Sequence, residues 1–109
     1  HSPRTFVPKC DFVSTVGWGA GGADARQRLG LPGGGPKFCV TPLCIMDFSE
    51  DDKRMRLCSV HPGVSIADVL RETGFPLIVP SVVPTTALPS VEELSVLRER
   101  VDWVGALRR

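Results

Sequence analysis

Glycine and proline are concentrated in two stretches of this sequence, and they limit where regular structure can form. Residues 17–36 contain eight glycines and two prolines, and residues 80–89 contain three prolines. Glycine is unfavourable inside helices and strands, and proline removes a backbone hydrogen-bond donor. We therefore predict a long loop over 17–36 with at most two helical turns, and an extended surface connector over 80–89.

The rest of the composition is typical of one small folded unit. The chain has 109 residues, of which 42% are hydrophobic and 23% charged, and its formal net charge is +1. This apolar content excludes a wholly disordered chain. The balanced charge offers no basic surface for nucleic acid, and the apolar runs are far shorter than the ~18 residues of a membrane span. We expect a cytoplasmic protein with no nucleic-acid or membrane partner, whose start at His1 reflects processing or loss of an N-terminal portion.

Three stretches other than residues 54–60 favour β-structure in different degrees. Residues 4–16 predict one broken or edge strand, because prolines interrupt their apolar residues. Residues 37–48 are the most apolar stretch and predict a strand in which Pro42 forces a bulge or an edge. Residues 75–79 predict a short strand.

Residues 54–60 show the alternation of a half-buried strand. Met55, Leu57 and Ser59 are predicted on one face, and Val60 lies among the residues predicted on the other. A short charged turn precedes this strand and connects it to the apolar stretch before it. The two strands are therefore predicted to pair as an antiparallel hairpin.

Two helices have capping boxes at their starts. Ser65 with Asp68 begins one, and Ser90 with Glu93 begins the other, followed by an apolar stripe at helical spacing. Gly74 is placed to end the first helix in a left-handed conformation. After the second helix, the tail VDWVGALRR is predicted to dock on a neighbouring surface. The stripe consists of Val91, Leu94, Leu97 and Val101.

The cysteines and histidines do not have the spacing of a metal site. No two of the four cysteines form a CxxC pair, and His1 and His61 are remote from any short cysteine spacing. We therefore predict no bound metal and reduced core thiols rather than disulfides. The cysteines are Cys10, Cys39, Cys44 and Cys58.

The glycines at 17, 19 and 22 match the GxGxxG pattern of dinucleotide-binding loops, with Asp47 as the acidic residue further on. That fold needs a crossover helix of ~10 or more residues after the loop, and glycines and prolines interrupt this one after about seven. A flexible loop that lines a neighbouring site is the favoured interpretation. Nucleotide binding at 17–22 stays open as an alternative, and it predicts protection of the loop by a dinucleotide.

Two residues suggest catalysis but are better explained structurally. His61 lies at a strand-to-helix turn and is a candidate general base. The sequence, however, does not require a nucleophile or a carboxylate to lie beside it. Glu72 precedes the glycine at a helix end, where a solvated side chain is the simpler interpretation. We therefore assign no catalytic residue.

Taken in order, the segments of the chain resemble the C-terminal part of the beta subunit of family I CoA-transferases, especially the glutaconate CoA-transferase-like branch. That branch includes steroid ring-cleaving CoA-thioester hydrolases. The HPGV-helix-TGF run is the most specific piece. The matching segments are HSPRTFV at 1–7, STVGWG at 14–19, RLGLPGGGP at 28–36, VTPLCIMDF at 40–48, MRLCSVHPGVSIADVLRETGF at 55–75 and PTTALPSVEELSVLRERVD at 84–102.

The resemblance implies part of an open α/β CoA-transferase-like sheet, with covering helices and a long wrapping C-terminal segment. It implies an alpha subunit and the upstream half of the beta subunit as partners in a hetero-oligomer. Acyl-CoA is the implied substrate, with coenzyme A as the substrate moiety rather than a tightly bound cofactor. Family members transfer CoA between acids through a glutamyl-CoA thioester, and their glutamate region and oxyanion loop precede the equivalent of His1. Asp102-Trp103 stands where relatives tend to have Asp-Pro.

The resemblance leads to one site hypothesis and two function hypotheses. Gly17, Trp18 and Gly19 are predicted to border the substrate pocket, with Trp18 as its bulky apolar contact. The chain is predicted to supply scaffold to a CoA-transferase or to a ring-cleaving CoA-thioester hydrolase. A non-catalytic interaction module is the competing class.

Overall fold

The computed structural model describes residues 1–19 and 22–108, and a small antiparallel sheet forms its centre. Its strands lie in the order β1 (Cys39–Val40), β2 (Cys44–Phe48) and β3 (Met55–Val60). The predicted hairpin is confirmed by the antiparallel pairing of β2 with β3. The helical segments are α1 (Ala25–Arg28), α2 (Ile66–Arg71), α3 (Val91–Val96), a π-helix (Leu97–Val101) and a 3-10 turn (Ala106–Arg108).

Pro42 lies in a turn between two strands. The backbone N–H of Thr41 donates to the carbonyl of Cys44 at 3.0 Å, and the Thr41 hydroxyl accepts the N–H groups of Leu43 and Cys44. Proline suits a turn because its φ is fixed and it has no N–H to pair. The single strand predicted over 37–48 is therefore wrong, because the chain reverses there and forms a second hairpin.

A β-bulge at Cys58 changes which side chains of β3 face the core. The pairing of β2 with β3 leaves Cys58 as an extra residue on β3. After it, Val60 joins Leu57 in the buried cluster, and Ser59 pairs with Ile45 on the other face. The prediction that Ser59 shares the face of Leu57 is wrong, because strict alternation holds only without a bulge.

The chain returns alongside β3 after α2. The N–H of Leu57 donates to the carbonyl of Ile78 at 2.8 Å, and the N–H of Thr86 donates to the carbonyl of Val60 at 2.7 Å. Both contacts are isolated parallel bridges, so the strand predicted over 75–79 is reduced to one bridging residue. Residues 80–89 contain no helix, and Thr85 adds a bridge to Val60 at the edge of the sheet. A strand, a helix and a parallel return form the βαβ arrangement of α/β proteins.

The strand predicted over 4–16 is wrong, because this segment forms turns. The N–H of Phe6 donates to the carbonyl of Ser2 at 2.9 Å, and the carbonyl of Phe6 accepts the N–H of Gly74 at 2.8 Å. Gly74 does not have a positive φ, so its predicted left-handed conformation is also wrong. A Cβ atom at position 74 would lie 2.5 Å from the Phe6 carbonyl oxygen. Glycine is needed there because two backbones approach closely.

Both predicted capping boxes are present, but the two helices differ in what they bury. The Ser65 and Ser90 side chains accept the N–H groups of Asp68 and Glu93, each at 3.1 Å. Helix α2 buries Val69 in the core, whereas α3 buries no residue. None of the helices in the described ranges is long and apolar enough to cross a membrane. The core consists of Cys44, Met46, Leu57, Val60 and Val69.

The capping box of α2 predicts a pH dependence. Hydrogen bonds from Ser65 and the Arg71 guanidinium lower the pKa of Asp68 from 3.8 to about 2. Because the folded-state pKa is the lower one, the stabilisation is complete above about pH 4 and is lost as the pH falls towards 2. We expect Ser65→Ala to raise the pKa of Asp68, measured by NMR titration of its carboxyl carbon. Ser90→Ala, at the start of α3, is the matched control and should leave that pKa unchanged.

Candidate functional site

Trp18 holds the glycine-rich loop against the tip of the β2–β3 hairpin. Its indole N–H donates to the carbonyl of Pro36 at 3.0 Å. Its ring lies 6.3 Å from the ring of Phe48, and the Lys53 ammonium lies 4.9 Å from its centroid. These are an aromatic pair and a cation–π contact. Gly17 and Trp18 are half-buried and Gly19 is exposed, so the three predicted site residues lie at the loop surface.

Arg26 braces the same loop from inside. Its guanidinium donates to the carbonyls of Gly17 and Pro32 at 2.8 and 2.9 Å. Gly35 lies against it, since a Cβ atom at position 35 would come within 2.7 Å of Arg26 Cδ and 2.9 Å of Trp18. The loop predicted to be flexible is therefore internally hydrogen-bonded and packed. Ala20 and Gly21, inside the GxGxxG pattern, lie outside the described residues.

The dinucleotide alternative lacks the two parts it needs. Helix α1 has four residues, too few for a crossover helix. Asp47, the proposed ribose ligand, accepts both Nε–H and an Nη–H of Arg56, at 2.9 and 2.6 Å. These hydrogen bonds lower the pKa of Asp47 and occupy both of its oxygens. Asp47 is therefore a structural partner of Arg56.

Two histidines and three threonines form a polar network that sequence reasoning did not find. The ring nitrogens of His1 lie 3.0 Å from the hydroxyls of Thr41 and Thr73, and the ring stacks on Phe6. The ring of His61 lies 3.0 Å from the Thr86 hydroxyl and 2.8 Å from the Thr41 carbonyl. The network therefore connects the N-terminal segment, the β1–β2 turn, the end of α2 and the connector.

Hydrogen-bond counting assigns the same tautomer to both rings. The Thr73 hydroxyl donates to the carbonyl of Val69 at 2.7 Å, so it accepts a proton from Nε2 of His1. The Nε2 of His61 faces the Thr41 carbonyl, which can only accept. Each ring thus donates a hydrogen bond from Nε2, which in a neutral imidazole is the Nε2–H tautomer. The predicted turn at His61 is confirmed, because its carbonyl accepts the N–H of Val64 at 3.0 Å.

Only a weak signal in the sequence could have revealed this network. The threonines at 41, 73 and 86 stand beside proline or glycine, or close to them, which marks turns but does not indicate which turns meet. The partners lie 20 to 72 positions apart. Their proximity depends on the tertiary fold.

The remaining candidates have structural environments. None of the four cysteines is paired with another in the structure, and Cys10 is exposed, so the prediction that all four are core thiols is wrong for Cys10. Burial raises the pKa of Cys39, Cys44 and Cys58, which keeps these thiols protonated and unreactive at neutral pH. Glu72 ends α2 beside Arg71. Within residues 1–19 and 22–108, no three potential ligands cluster closely enough to hold a metal ion.

The chain is similar to subunits of known CoA-transferases. It is 43% identical over 98 residues to the beta subunit of the 3-oxoadipate CoA-transferase of Pseudomonas knackmussii, a match that covers 90% of the chain and 37% of that protein. It is 43% identical over 103 residues to the beta subunit of the glutaconate CoA-transferase of Acidaminococcus fermentans, covering 94% of the chain and 38% of that protein. The crystal structure of the latter transferase superposes with a TM-score of 0.85 at 38% identity, over 99% of the chain and 41% of its counterpart.

A more distant relative belongs to a different class. The IpdB subunit of the cholesterol ring-cleaving hydrolase of Mycobacterium tuberculosis is 31% identical over 109 residues, which is 94% of the chain and 40% of that protein. No model of a known protein family matches the sequence. The chain spans about two fifths of the length of the relatives it matches.

Over nearly its whole length, the chain is a homologue of part of CoA-transferase subunits and shares their α/β fold. The homologous subunits are the beta subunits of the 3-oxoadipate and glutaconate enzymes. The predicted open α/β architecture is confirmed by the superposition on the glutaconate transferase.

Proposed function

We propose that this chain is the C-terminal half of a beta subunit in an enzyme that transfers CoA between carboxylic acids. The observation that supports this most strongly is the 43% identity to two CoA-transferase beta subunits over at least 90% of the chain. Its partners are an alpha subunit and the upstream half of the beta subunit. Acyl-CoA is the substrate, and coenzyme A enters as part of it.

We place the reacting groups in polypeptide outside the chain. Covalent acyl transfer needs a free carboxylate beside donors for the developing oxyanion. Asp47 is held by Arg56, Asp68 by Ser65 and Arg71, and Glu93 by the backbone of Ser90. These three carboxylates therefore stabilise the fold, which supports the proposal that the chain acts as scaffold for the site.

Reconstitution tests this function. The purified chain is combined with an alpha subunit and the missing part of a beta subunit, and CoA transfer from an acyl-CoA to a dicarboxylate is measured. We expect transfer by the assembly and none by the chain alone. Turnover by the isolated chain would contradict the placement of the reacting groups. An intact but inactive assembly would favour the interaction module.

Ring-cleaving CoA-thioester hydrolysis is the second candidate function, supported by the 31% identity to the mycobacterial hydrolase subunit. The same assembly distinguishes the two reactions by its products. A transferase yields a new CoA thioester of the acceptor acid, whereas the hydrolase opens the ring of its substrate. Formation of the ring-opened product without an acceptor acid would favour the hydrolase.

We further propose that Gly17, Trp18 and Gly19 border the acyl-CoA pocket, with the exposed part of the Trp18 ring as the apolar contact. In the active assembly, Trp18→Ala should raise KM for the acyl-CoA about tenfold, which corresponds to ~1.4 kcal/mol of lost binding. Trp18→Phe keeps an aromatic ring and should recover part of the loss. Phe12→Ala removes another exposed aromatic ring and should leave KM unchanged. An unchanged KM in Trp18→Ala would contradict this assignment.

A further inference from the structure

The chain exposes more surface than a compact protein of its size. Its solvent-accessible surface is 8132 Å², whereas a folded monomer of 11.8 kDa exposes about 5,900 Å². Its radius of gyration is 16.5 Å, against about 13 Å for a compact domain of 109 residues. The excess of roughly 2,200 Å² exceeds the ~800 Å² that each partner buries in an interface of standard size, and it is typical of obligate association.

Much of the exposed apolar surface lies on residues 87–108, which we name the C-terminal arm. Among the described residues, no hydrophobic side chain beyond Val83 belongs to the core or packs against it. A groove along the arm is lined by Val96, Leu97 and Val101, with polar side chains at one end. The large hydrophobic residues exposed on the arm are Leu88, Val91, Val96, Leu97, Val101, Trp103, Val104 and Leu107.

The arm is nevertheless ordered. The Ser90 capping box starts its helix, and a buried Asp102 accepts the N–H of Leu107 at 3.1 Å and so folds the tail back. The superposition on the glutaconate transferase covers 99% of the chain, which includes nearly all of the arm. Its shape therefore recurs in a protein in which more than half of the polypeptide lies outside the match.

We infer that the apolar side of the C-terminal arm docks on the part of the beta-subunit fold that this chain lacks. This inference rests on the proposed function and specifies the surface that joins the two parts. The excess area fits an obligate contact, and the unmatched part of the relatives is long enough to provide it. Association through this surface buries the aliphatic side chains of Val96, Leu97 and Val101, beside the polar end of the groove at Ser90, Glu92 and Glu93.

The test measures binding rather than turnover. The chain is mixed with the segment of the Acidaminococcus fermentans beta subunit that lies outside the match, and the complex is measured by native mass spectrometry and calorimetry. We expect a one-to-one complex that the double substitution Leu97→Glu with Val101→Glu weakens at least 100-fold. Lys9→Glu adds the same two units of negative charge outside the arm and should leave affinity unchanged.

Each alternative outcome is decisive. Circular dichroism checks that the double variant stays folded. We expect the core to remain intact, because the hydrophobic side chains of the arm do not pack against it. Equal affinity of the double variant, lack of binding by the unmodified chain, arm-dependent dimers of the chain alone, or arm-dependent binding to the alpha subunit alone would each overturn the inference. An arm-dependent complex that shows neither transfer nor hydrolysis after the alpha subunit is added would refute the proposed function and leave the docking surface intact.

Discussion

Leu57→Ala should lower the free energy of unfolding by about 4 kcal/mol, because it removes a fully buried side chain of strand β3 from a small core. Leu57 packs in one cluster with Met46 of β2 and Val69 of α2. The cavity left by the substitution therefore lies between α2 and the sheet. Small domains have ~5–15 kcal/mol of stability in total. We therefore expect the isolated variant to lose a large share of its stability and to unfold at a much lower urea concentration, as measured by urea denaturation followed by circular dichroism.

Leu29→Ala is the matched control for this experiment. Leu29 lies in the glycine-rich loop with 59% of its surface exposed, so its truncation should change stability by less than about 0.5 kcal/mol. A loss below about 1 kcal/mol in Leu57→Ala would show that this cluster is not the main source of stability.

Gly74→Ala should cost about 2 kcal/mol, because the new Cβ atom cannot fit beside the Phe6 carbonyl oxygen at 2.5 Å. The N–H of Gly74 bonds to that same oxygen, so the backbones cannot separate without losing the hydrogen bond. The N-terminal segment should detach, and the stacking of His1 on Phe6 should be lost with it. Urea denaturation measures the stability, and hydrogen exchange of the residue 74 amide reports the detachment.

Gly34→Ala distinguishes this steric cause from a general effect of glycine replacement. Gly34 does not have a positive φ, and a Cβ atom there would meet nothing within 4 Å. Its replacement should be neutral or slightly stabilising, since alanine restricts the unfolded chain. If both variants lose the same stability, close approach of Phe6 is not the reason for glycine at position 74.

Sequence reasoning succeeded where the signal was local. The capping boxes at Ser65 and Ser90 lie where predicted, since each needs two residues three positions apart. The β2–β3 hairpin was also predictable, because two apolar runs flank a short charged turn. The 17–36 loop follows from its glycines and prolines alone.

The errors have specific structural causes. Pro42 proved to be in a turn, and the extra residue Cys58 reversed the faces of Ser59 and Val60. The hydrophobic periodicity of the sequence predicts neither the turn at Pro42 nor the bulge at Cys58, because a bulge depends on how the partner strand pairs. In the candidate site, Trp18 was proposed from the sequence as a site residue, which stays a prediction, and its contacts with Pro36, Phe48 and Lys53 were not foreseen.

Short-range chemistry was thus enough to place the helix starts, the main hairpin and the glycine-rich loop, because capping, alternation and turn propensity act over a few neighbours. Contacts between distant segments were settled by folding alone. They include the Phe6–Gly74 approach, the histidine–threonine network and the separation of the C-terminal arm from the core. The physical reason is that each requires particular backbones to meet in space, and a pattern along the chain does not specify which ones do.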